Sequence, residues 1–393
     1  MKMIPAHAPP HNKHELLKSL AILVRKRERV KEFFEDGVKT VLQTENYLTL
    51  SSGRRALYIG LKSLGIGKGD EVILPAFTTD IVPMVIRETG AVPIPADVNL
   101  DDYNIDPNSV LECISNRTKA ILTVHTFGCP SDVKTLKEIC EDHDLFLIED
   151  AAPAFGAKYD GKPVGTFGDF GMISFGVGKS ISMGTGGGIV VSDEKLFKGI
   201  KEFVFPKKFK SSAKILVKIL GSVLLSNPYL YGVVGCKVKN TIVSHQYDNY
   251  REEIVNAKDI PLLSYAIGIQ EIETKVFERR RKIAVEYTDI FNKFNGIYPP
   301  AEKRDIYSVY TRYFVRVENE DIRNNICERM RKLGIEPLIP DHGYPISENL
   351  CPSKFQEDIP NAKTLSKTLI GIPVHRKIQE DKLVKIFKDE ENV

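Results

Sequence analysis

One lysine has surroundings that could make its amine reactive. Lys179 lies in SFGVGKS (174–180), directly after the apolar run GMISF (171–175) and just before a glycine-rich stretch (184–188). Partial desolvation among small residues lowers the pKa of an amine, so that the amine can attack a carbonyl carbon. The sequence therefore makes Lys179 a candidate nucleophile, with a solvated surface lysine as the alternative.

Two nucleotide-binding motifs can be excluded at this place. A P-loop requires a glycine five residues before the glycine of its Gly-Lys pair, and Ile173 stands there. A Rossmann fingerprint within GTGGGI (184–189) requires a third glycine where Ile189 stands. Neither pattern accounts for the glycines around Lys179.

An acidic pair ends a second apolar run. In LIEDAAPAFGA (147–157), a buried-looking strand ends in two adjacent carboxylates that small residues follow. A carboxylate at the carboxyl end of such a strand can pair with a protonated ring nitrogen, an arrangement that pyridoxal 5′-phosphate (PLP) uses as its electron sink. Asp150 is the candidate for that role, and a helix N-cap is the alternative.

A third candidate is the start of a helix at SSGRRAL (51–57). A helix N-terminus offers free backbone N–H groups and a favourable dipole to a phosphate. Gly53 permits close approach to the backbone, while Arg54 and Arg55 can add positive charge. Phosphate binding and simple helix capping explain this segment equally well.

These candidates lie on a predicted α/β framework. Strand-sized apolar runs alternate with amphipathic stretches between about residues 47 and 200, which indicates a sheet covered by helices. Residues 261–295 have helical spacing and predict one or two long helices. The remaining chain predicts strands at 313–317 and 369–375 and helices at 321–333 and 379–389, which indicates a smaller α/β domain. The predicted strands of the first region are 71–75, 91–98, 119–125, 145–150, 171–175 and 187–193.

Composition excludes several classes of protein. The 393 residues carry a formal net charge of only +3, which gives no reason to expect a nucleic-acid partner. The six cysteines form no CxxC pair and no Cys/His cluster, so we expect no metal site and a reducing cytoplasm. The N-terminus lacks the pattern of a secretory signal. An apolar insertion at about 206–250 is predicted to pack on the body or on a dimer partner, with weak membrane-surface contact as the alternative.

The three segments described above, SSGRRAL, LIEDAAPAFGA and SFGVGKS, belong to a longer series of phrases through which the chain resembles the DegT/DnrJ/EryC1/StrS family of PLP-dependent nucleotide-sugar aminotransferases. The resemblance spans roughly 150 residues and continues more loosely through KLGIEP and GIPVH. The matching phrases, in order, are SSGRRAL, GIGKGDEVILPAFT, DDYNIDP, RTKAILTVHTFGCPSD, LIEDAAPAFGAKYDGKPVGTFGD and SFGVGK followed by GTGGGIVVSDE.

The resemblance implies a PLP-dependent α/β fold of type I, with a large mixed-sheet, PLP-binding domain (1–255) and a long connecting helix plus a smaller C-terminal α/β domain (256–393). It implies that Lys179 is the Schiff-base lysine and proton shuttle, that Asp150 is the partner of the pyridine nitrogen, and that Ser174 is a phosphate ligand. Gly53 and Arg54 fall at the family's phosphate-binding turn.

The implied activity is transfer of an amino group, with glutamate as the expected donor, to a nucleotide-linked keto-sugar in glycan precursor synthesis. A cytoplasmic homodimer is also implied. Related dehydratases have a histidine in place of the lysine, so Lys179 favours transamination. The alternatives are another PLP-dependent sugar reaction and a non-catalytic regulatory or scaffold role.

Four departures from the family pattern motivate those alternatives. Thr79 stands where an aromatic often stacks on the cofactor ring, Pro153 replaces a glutamine, and Arg54 replaces a Thr or Ser. The Gly-x-Asn-x-Arg phrase is not recognisable in AKDIPLLSYAIG (257–268).

Three other features are weaker candidates. His125 is interpreted either as a neighbour of the cofactor or as a hydrogen-bonded histidine at a strand end. His342 is a candidate for contact with the sugar, with an ordinary loop histidine as the alternative. The charge run ERRRK (278–282) is interpreted as the solvated face of a helix.

Overall fold

The computed structural model describes residues 3–5, 13–203, 250–255, 259–340, 345–352 and 358–388. The helices in these ranges are α1 (Lys13–Lys26), α2 (Val30–Leu42), α3 (Gly53–Ser63), α4 (Ile81–Thr89), α5 (Pro107–Cys113), α6 (Val133–His143), α7 (Glu194–Phe203), α8 (Tyr250–Val255), α9 (Leu262–Glu273), α10 (Val276–Phe291), α11 (Glu320–Lys332), α12 (Pro360–Thr368) and α13 (Glu380–Phe387). The strands are β1 (Tyr47–Leu50), β2 (Glu71–Pro75), β3 (Val92–Ala96), β4 (Thr118–Val124), β5 (Phe146–Asp150), β6 (Lys158–Tyr159), β7 (Lys162–Pro163), β8 (Phe170–Ser174), β9 (Gly187–Val191), β10 (Ile297–Tyr298), β11 (Ile306–Tyr307), β12 (Tyr313–Val317) and β13 (Leu369–Ile372).

Seven of these strands form one mixed sheet in the order β1-β9-β8-β5-β4-β2-β3. The five strands from β8 to β3 are parallel to their neighbours, whereas β9 is antiparallel to both β8 and β1. All six strands predicted from apolar runs before residue 200 lie in this sheet. The seventh, β1, is a four-residue edge strand with a mixed burial pattern, which is too short to show a period in the sequence.

Burial on both faces explains the apolar character of the central strands. Every residue of β2 is buried. Val72 and Leu74 pack with residues of α3 and α4, while Ile73 packs with residues of α5 and α6 on the opposite face. Parallel sheets need helices on both faces, so this layering confirms the predicted α/β fold with a large mixed sheet.

A smaller antiparallel sheet has the order β10-β12-β13. Residues of α10, α11 and α13 pack against it in one apolar cluster. The long helices predicted at 261–295 are α9 and α10. A third small sheet, in which β11 pairs with β6, joins the 300s region to the chain that follows β5. The domain boundary predicted at 255/256 stays a prediction.

The apolar insertion predicted at about 206–250 lies outside the described residues, except for Tyr250. In the ranges given above, no helix combines the length and the apolar character that crossing a membrane requires.

Candidate active site

The sheet brings the predicted site residues to one edge. Asp150 is the last residue of β5 and Ser174 is the last residue of its parallel neighbour β8. Lys179 follows in the loop between β8 and β9. The carboxyl ends of parallel strands are where open α/β sheets bind ligands, so the fold places all three residues at the expected edge.

The loop that carries Lys179 is closed by backbone hydrogen bonds at its base. The N–H of Phe175 donates to the carbonyl of Gly186 (2.9 Å), and the N–H of Met183 donates to the carbonyl of Phe175 (2.9 Å). Within the loop, the N–H of Lys179 donates to the carbonyl of Gly176 (3.3 Å), and Gly178 has φ of +79°. A turn with a positive φ at its third position favours glycine, which explains Gly178 immediately before the lysine.

Lys179 and Asp150 influence each other without a direct ion pair in the described chain. Burial lowers the pKa of the half-buried Lys179, the charges of Arg312 and Arg54 lower it further, and the charge of Asp150 opposes these effects. Burial raises the pKa of Asp150, which is 5% exposed, and the charge of Lys179 opposes that rise. The two groups therefore share one poorly solvated site.

The two adjacent carboxylates at the end of β5 have different surroundings because successive strand residues point to opposite faces. Glu149 is fully buried and accepts four hydrogen bonds. Its donors are the N–H groups of Gly165 (2.7 Å), Phe167 (2.6 Å) and Gly168 (2.8 Å) and the Nε2 of His125 (3.1 Å). Burial raises its pKa, but these donors outweigh that effect and the pKa is lowered.

Asp150 accepts far less from the protein. Its Oδ1 accepts a hydrogen bond from the N–H of Ala152 (2.9 Å), which forms a turn rather than a helix cap. Within the described ranges, no hydrogen bond reaches its Oδ2. Of the two acids in the sequence, Asp150 is thus the one that can accept a hydrogen bond from a ligand.

His125 lies beside this pair, fully buried after β4. The N–H of Ser131 donates to its Nδ1 (3.1 Å), so that nitrogen carries no hydrogen, and Nε2 can donate to Glu149. Its backbone N–H donates to the carbonyl of Asp150 (3.1 Å). Since both ring nitrogens bind protein groups, His125 can meet a ligand only through a ring face, which agrees with the hydrogen-bonded interpretation.

Gly53 and Ser174 are in contact, although 121 positions separate them in the chain. A Cβ placed on Gly53 would lie 2.9 Å from the Cβ of Ser174, so no larger residue fits at position 53 without displacement. Gly53 is the first residue of α3, and Ser52 caps the helix by accepting from the N–H of Arg55 (3.2 Å). The helix N-terminus and the end of β8 therefore form one surface.

Three arginines lie near the site, and the first of them, Arg55, makes a contact with another helix. Its Nη1 donates to the carbonyl of Ile254 in α8 (2.6 Å), so Arg55 links α3 to α8. Arg54 is half-buried and its charge acts on Lys179. Arg312, which the sequence analysis missed, also acts on Lys179. It enters from the loop before β12, where its N–H donates to the carbonyl of Phe127 (3.4 Å).

Two residues that depart from the family pattern, Thr79 and Pro153, lie within the described chain. Thr79 is half-buried just before α4. The carbonyl of Pro153 accepts hydrogen bonds from Ser180 Oγ (3.2 Å) and from Thr311 Oγ1, and these two hydroxyls are 3.1 Å apart. Two hydroxyl groups thus lie next to the proline. His342 lies outside the described residues.

Comparison with known proteins first defines the class of protein. The structure superposes on DesV of Streptomyces venezuelae with a TM-score of 0.71 and 26% identity, covering 95% of this chain and 94% of that one. It superposes on the putative sugar aminotransferase Spr1654 of Streptococcus pneumoniae, in its PMP form, with a TM-score of 0.75 and 23% identity, covering 98% of both chains. The fold is that of the PLP-dependent aminotransferases.

The sequence then defines the family. The chain belongs to the DegT/DnrJ/EryC1/StrS aminotransferase family, whose sequence model matches residues 15–389. Among its curated relatives, GDP-perosamine synthase of Escherichia coli O157:H7 is 29% identical over 344 residues, which covers 86% of this chain and 83% of that protein. The protein is therefore a PLP-dependent aminotransferase, as the resemblance implied.

The residues at the sheet edge fit this cofactor. PLP presents an aldehyde, a ring nitrogen and a phosphate group. The site offers an amine of lowered pKa on Lys179, a carboxylate oxygen of Asp150 without a protein donor in the described chain, and the joined surface of Gly53 and Ser174. Each chemical group of the cofactor has a suitable counterpart.

Proposed function

We propose that the protein transfers an amino group from an amino-acid donor, glutamate, to a keto-sugar carried on a nucleotide, in the synthesis of glycan or polysaccharide precursors. The observation that carries the proposal is the shared buried environment of Lys179 and Asp150, whose charges act on each other without direct pairing in the described chain. When bound, PLP supplies the aldehyde that accepts the amino group and the ring that withdraws electrons.

Lys179 is the residue to which we assign covalent binding and proton transfer. Its lowered pKa makes the neutral, nucleophilic amine available at a lower pH than for an ordinary lysine. The same neutral amine can accept a proton from the donor carbon and return it to the substrate. Asp150 would keep the ring nitrogen of the cofactor protonated, because a poorly solvated carboxylate whose Oδ2 has no donor in the described chain favours a positively charged partner.

Gly53, Arg54 and Ser174 are the residues to which we assign the phosphate group of the cofactor. The first turn of α3 lies at the positive end of the helix dipole, which favours a phosphate group. Arg54 adds a guanidinium, which binds phosphate more strongly than the hydroxyl that the family usually has there. The charge of Arg312 also acts on Lys179, and we assign Arg312 to the anionic groups of the incoming substrates.

The names of relatives support the choice of a nucleotide-linked sugar. GDP-perosamine synthase and the dTDP-3-amino-3,4,6-trideoxy-alpha-D-glucose transaminase of Streptomyces venezuelae, which is 27% identical over 364 residues, both carry a nucleotide sugar in their names. The second of these covers 91% of this chain and 85% of its own length. These two names differ in the nucleotide, so we extend the shared chemistry alone to this protein.

The test is the half-reaction with an amino donor. We expect the purified protein loaded with PLP to show the absorbance band of lysine-bound cofactor, and we expect glutamate alone to convert it to the amine form. Glutamine, alanine and aspartate serve as matched donors. Conversion by one of these instead of glutamate would refute only the choice of glutamate as the donor. A protein without the absorbance band would refute the proposed transamination and favour a regulatory role.

We also propose a cytoplasmic homodimer. The predicted apolar insertion supplies surface that a soluble monomer rarely exposes. Sedimentation velocity should show a dimer, and deletion of residues 206–250 should yield monomers or aggregates. Flotation of the intact dimer with anionic vesicles would instead support membrane contact through the insertion. A monomer that retained cofactor and activity would contradict the dimer.

A further inference from the structure

A buried arginine binds the backbone of the loop that carries Lys179. Arg280 lies on α10 and is 6% exposed. Its Nη1 donates to the backbone carbonyl of Lys179 (3.1 Å) and to that of Ser180 (3.2 Å). One guanidinium nitrogen thereby fixes two consecutive carbonyls beside the reactive lysine.

Glu271 completes this support from α9. Glu271 is 4% exposed, and its Oε2 accepts a hydrogen bond from the N–H of Ser182 (2.5 Å). The charges of Glu271 and Arg280 act on each other. Burial raises the pKa of Glu271 to about 7, although the charge of Arg280 opposes this rise. Two buried side chains from neighbouring helices therefore bind three backbone groups within residues 179–182.

Burial of these two charges is costly. Two buried groups of opposite charge often contribute no more to stability than apolar residues of the same volume, because both charges lose their hydration. Here the charged groups point at the main chain of a loop that has glycines with positive φ at 178 and 184. Glycine leaves a backbone conformationally free, so this loop needs external contacts to present its lysine in one position.

We propose that Arg280, supported by Glu271, is a positioning residue that fixes the backbone of Lys179 for reaction with the cofactor. The inference rests on the proposed assignment of Lys179. Among the described residues, the hydrogen bonds of Arg280 go to the carbonyl oxygens of Lys179 and Ser180, so we infer that its effect on the reaction passes through the lysine. Ser180 Oγ makes a further contact of the loop, because it donates a hydrogen bond to the carbonyl of Pro153.

The neighbouring arginine offers a matched control. Arg281 lies on the same helix, half-buried, and binds Glu302 and the carbonyl of Ser308 (3.0 Å). It therefore makes the same kind of contact to a different loop. If Arg280 only stabilised the fold, its replacement should have the same effect on the reaction as replacement of Arg281.

The experiment compares Arg280→Lys, the double variant Glu271→Gln/Arg280→Gln and the control Arg281→Gln. The double variant leaves neither buried charge without its partner, so it should fold even if Arg280→Gln alone does not. We measure amide hydrogen exchange of residues 177–183 in the cofactor-free protein. We also measure the rate of the donor half-reaction per bound cofactor.

For the double variant we expect exchange in 177–183 to accelerate and the half-reaction rate per cofactor to fall, each by at least about tenfold, since misplacement of a reacting group by an ångström can cost more than that. Arg280→Lys should recover part of the rate, because its ammonium retains the charge and can reach a carbonyl. The Arg281→Gln variant should change neither quantity.

Rates and exchange within twofold of the wild type in the double variant would overturn the inference. Borohydride reduction and peptide mapping of the wild type separate this outcome from a failure of the proposed function. A label on Lys179 with an unaffected double variant refutes only the positioning role, whereas a label on another lysine refutes the assignment of Lys179 itself.

Discussion

Lys179→Ala should abolish covalent cofactor binding and reduce transamination by roughly 10⁴-fold or more, the scale seen when a catalytic nucleophile is removed. The physical reason is that the lysine combines partial burial, a lowered pKa and a carboxylate, Asp150, whose charge acts on it. The fold should persist, because the loop is held through its backbone and not through the lysine side chain. Absorbance of the loaded protein and peptide mapping after borohydride reduction measure the result.

Lys162→Ala is the matched control for this experiment. Burial also lowers the pKa of Lys162, but its Nζ lies 4.5 Å from the centre of the Phe167 ring, in the hairpin of β6 and β7. A lowered lysine pKa is thus present in both residues, but their carboxylates differ. The charge of Glu149, which accepts four hydrogen bonds from the protein, acts on Lys162, whereas the charge of Asp150 acts on Lys179. Covalent labelling that disappears in the Lys162 variant and survives in the Lys179 variant would reverse the assignment.

Asp150→Asn should retain the covalent cofactor and lower the transamination rate by at least about a hundredfold, within the range typical for groups that control protonation. A neutral amide cannot hold a ring nitrogen in its protonated form, so the ring would withdraw electrons less strongly. The turn should survive, because the amide oxygen of asparagine can accept from the N–H of Ala152 as Oδ1 does now. Single-turnover kinetics at matched cofactor occupancy measure the loss.

Asp132→Asn is a control for the helix-capping alternative. Asp132 caps α6 by accepting from the N–H of Thr135 (3.4 Å), so its carboxylate performs the structural role that the sequence left open for Asp150. Its replacement should leave the rate per cofactor unchanged. Equal effects of the two substitutions would show that Asp150 is also only structural.

The strands of the large sheet could be predicted because both of their faces are buried. Five consecutive buried residues in β2 and in β9 produce apolar runs that turns interrupt cleanly. Tyr313–Val317 was predicted with its observed bounds, because four of its five residues are buried and only Arg316 is partly exposed. The helices before residue 47 could not be predicted with the same ease, because α1 exposes apolar residues such as Leu17 and Val24 on one side.

The charge run at 278–282 shows where a sequence pattern misleads. Glu278, Arg279 and Lys282 are exposed as expected, but Arg280 is buried. The helical period explains the error, because Arg280 lies on the same face as the buried residues Phe277, Ala284 and Tyr287. Its acceptors are backbone carbonyls 100 positions away in the chain, and no side-chain pattern reports them. Arg312 could not be predicted either, because its charge acts on Lys179, a residue 133 positions away in the chain.

The surroundings of Glu149 bear on the order in which the protein folds and acquires its cofactor. Its four hydrogen bonds all come from the protein, and three of them come from the backbone of residues 165–168. The backbone next to Asp150 is therefore held by hydrogen bonds within the protein and needs no ligand for its order. Ordering a segment on binding costs free energy, and here that cost is met during folding. Loading with cofactor is then a binding event on a finished surface, and the apoprotein can exist as a folded species that awaits it.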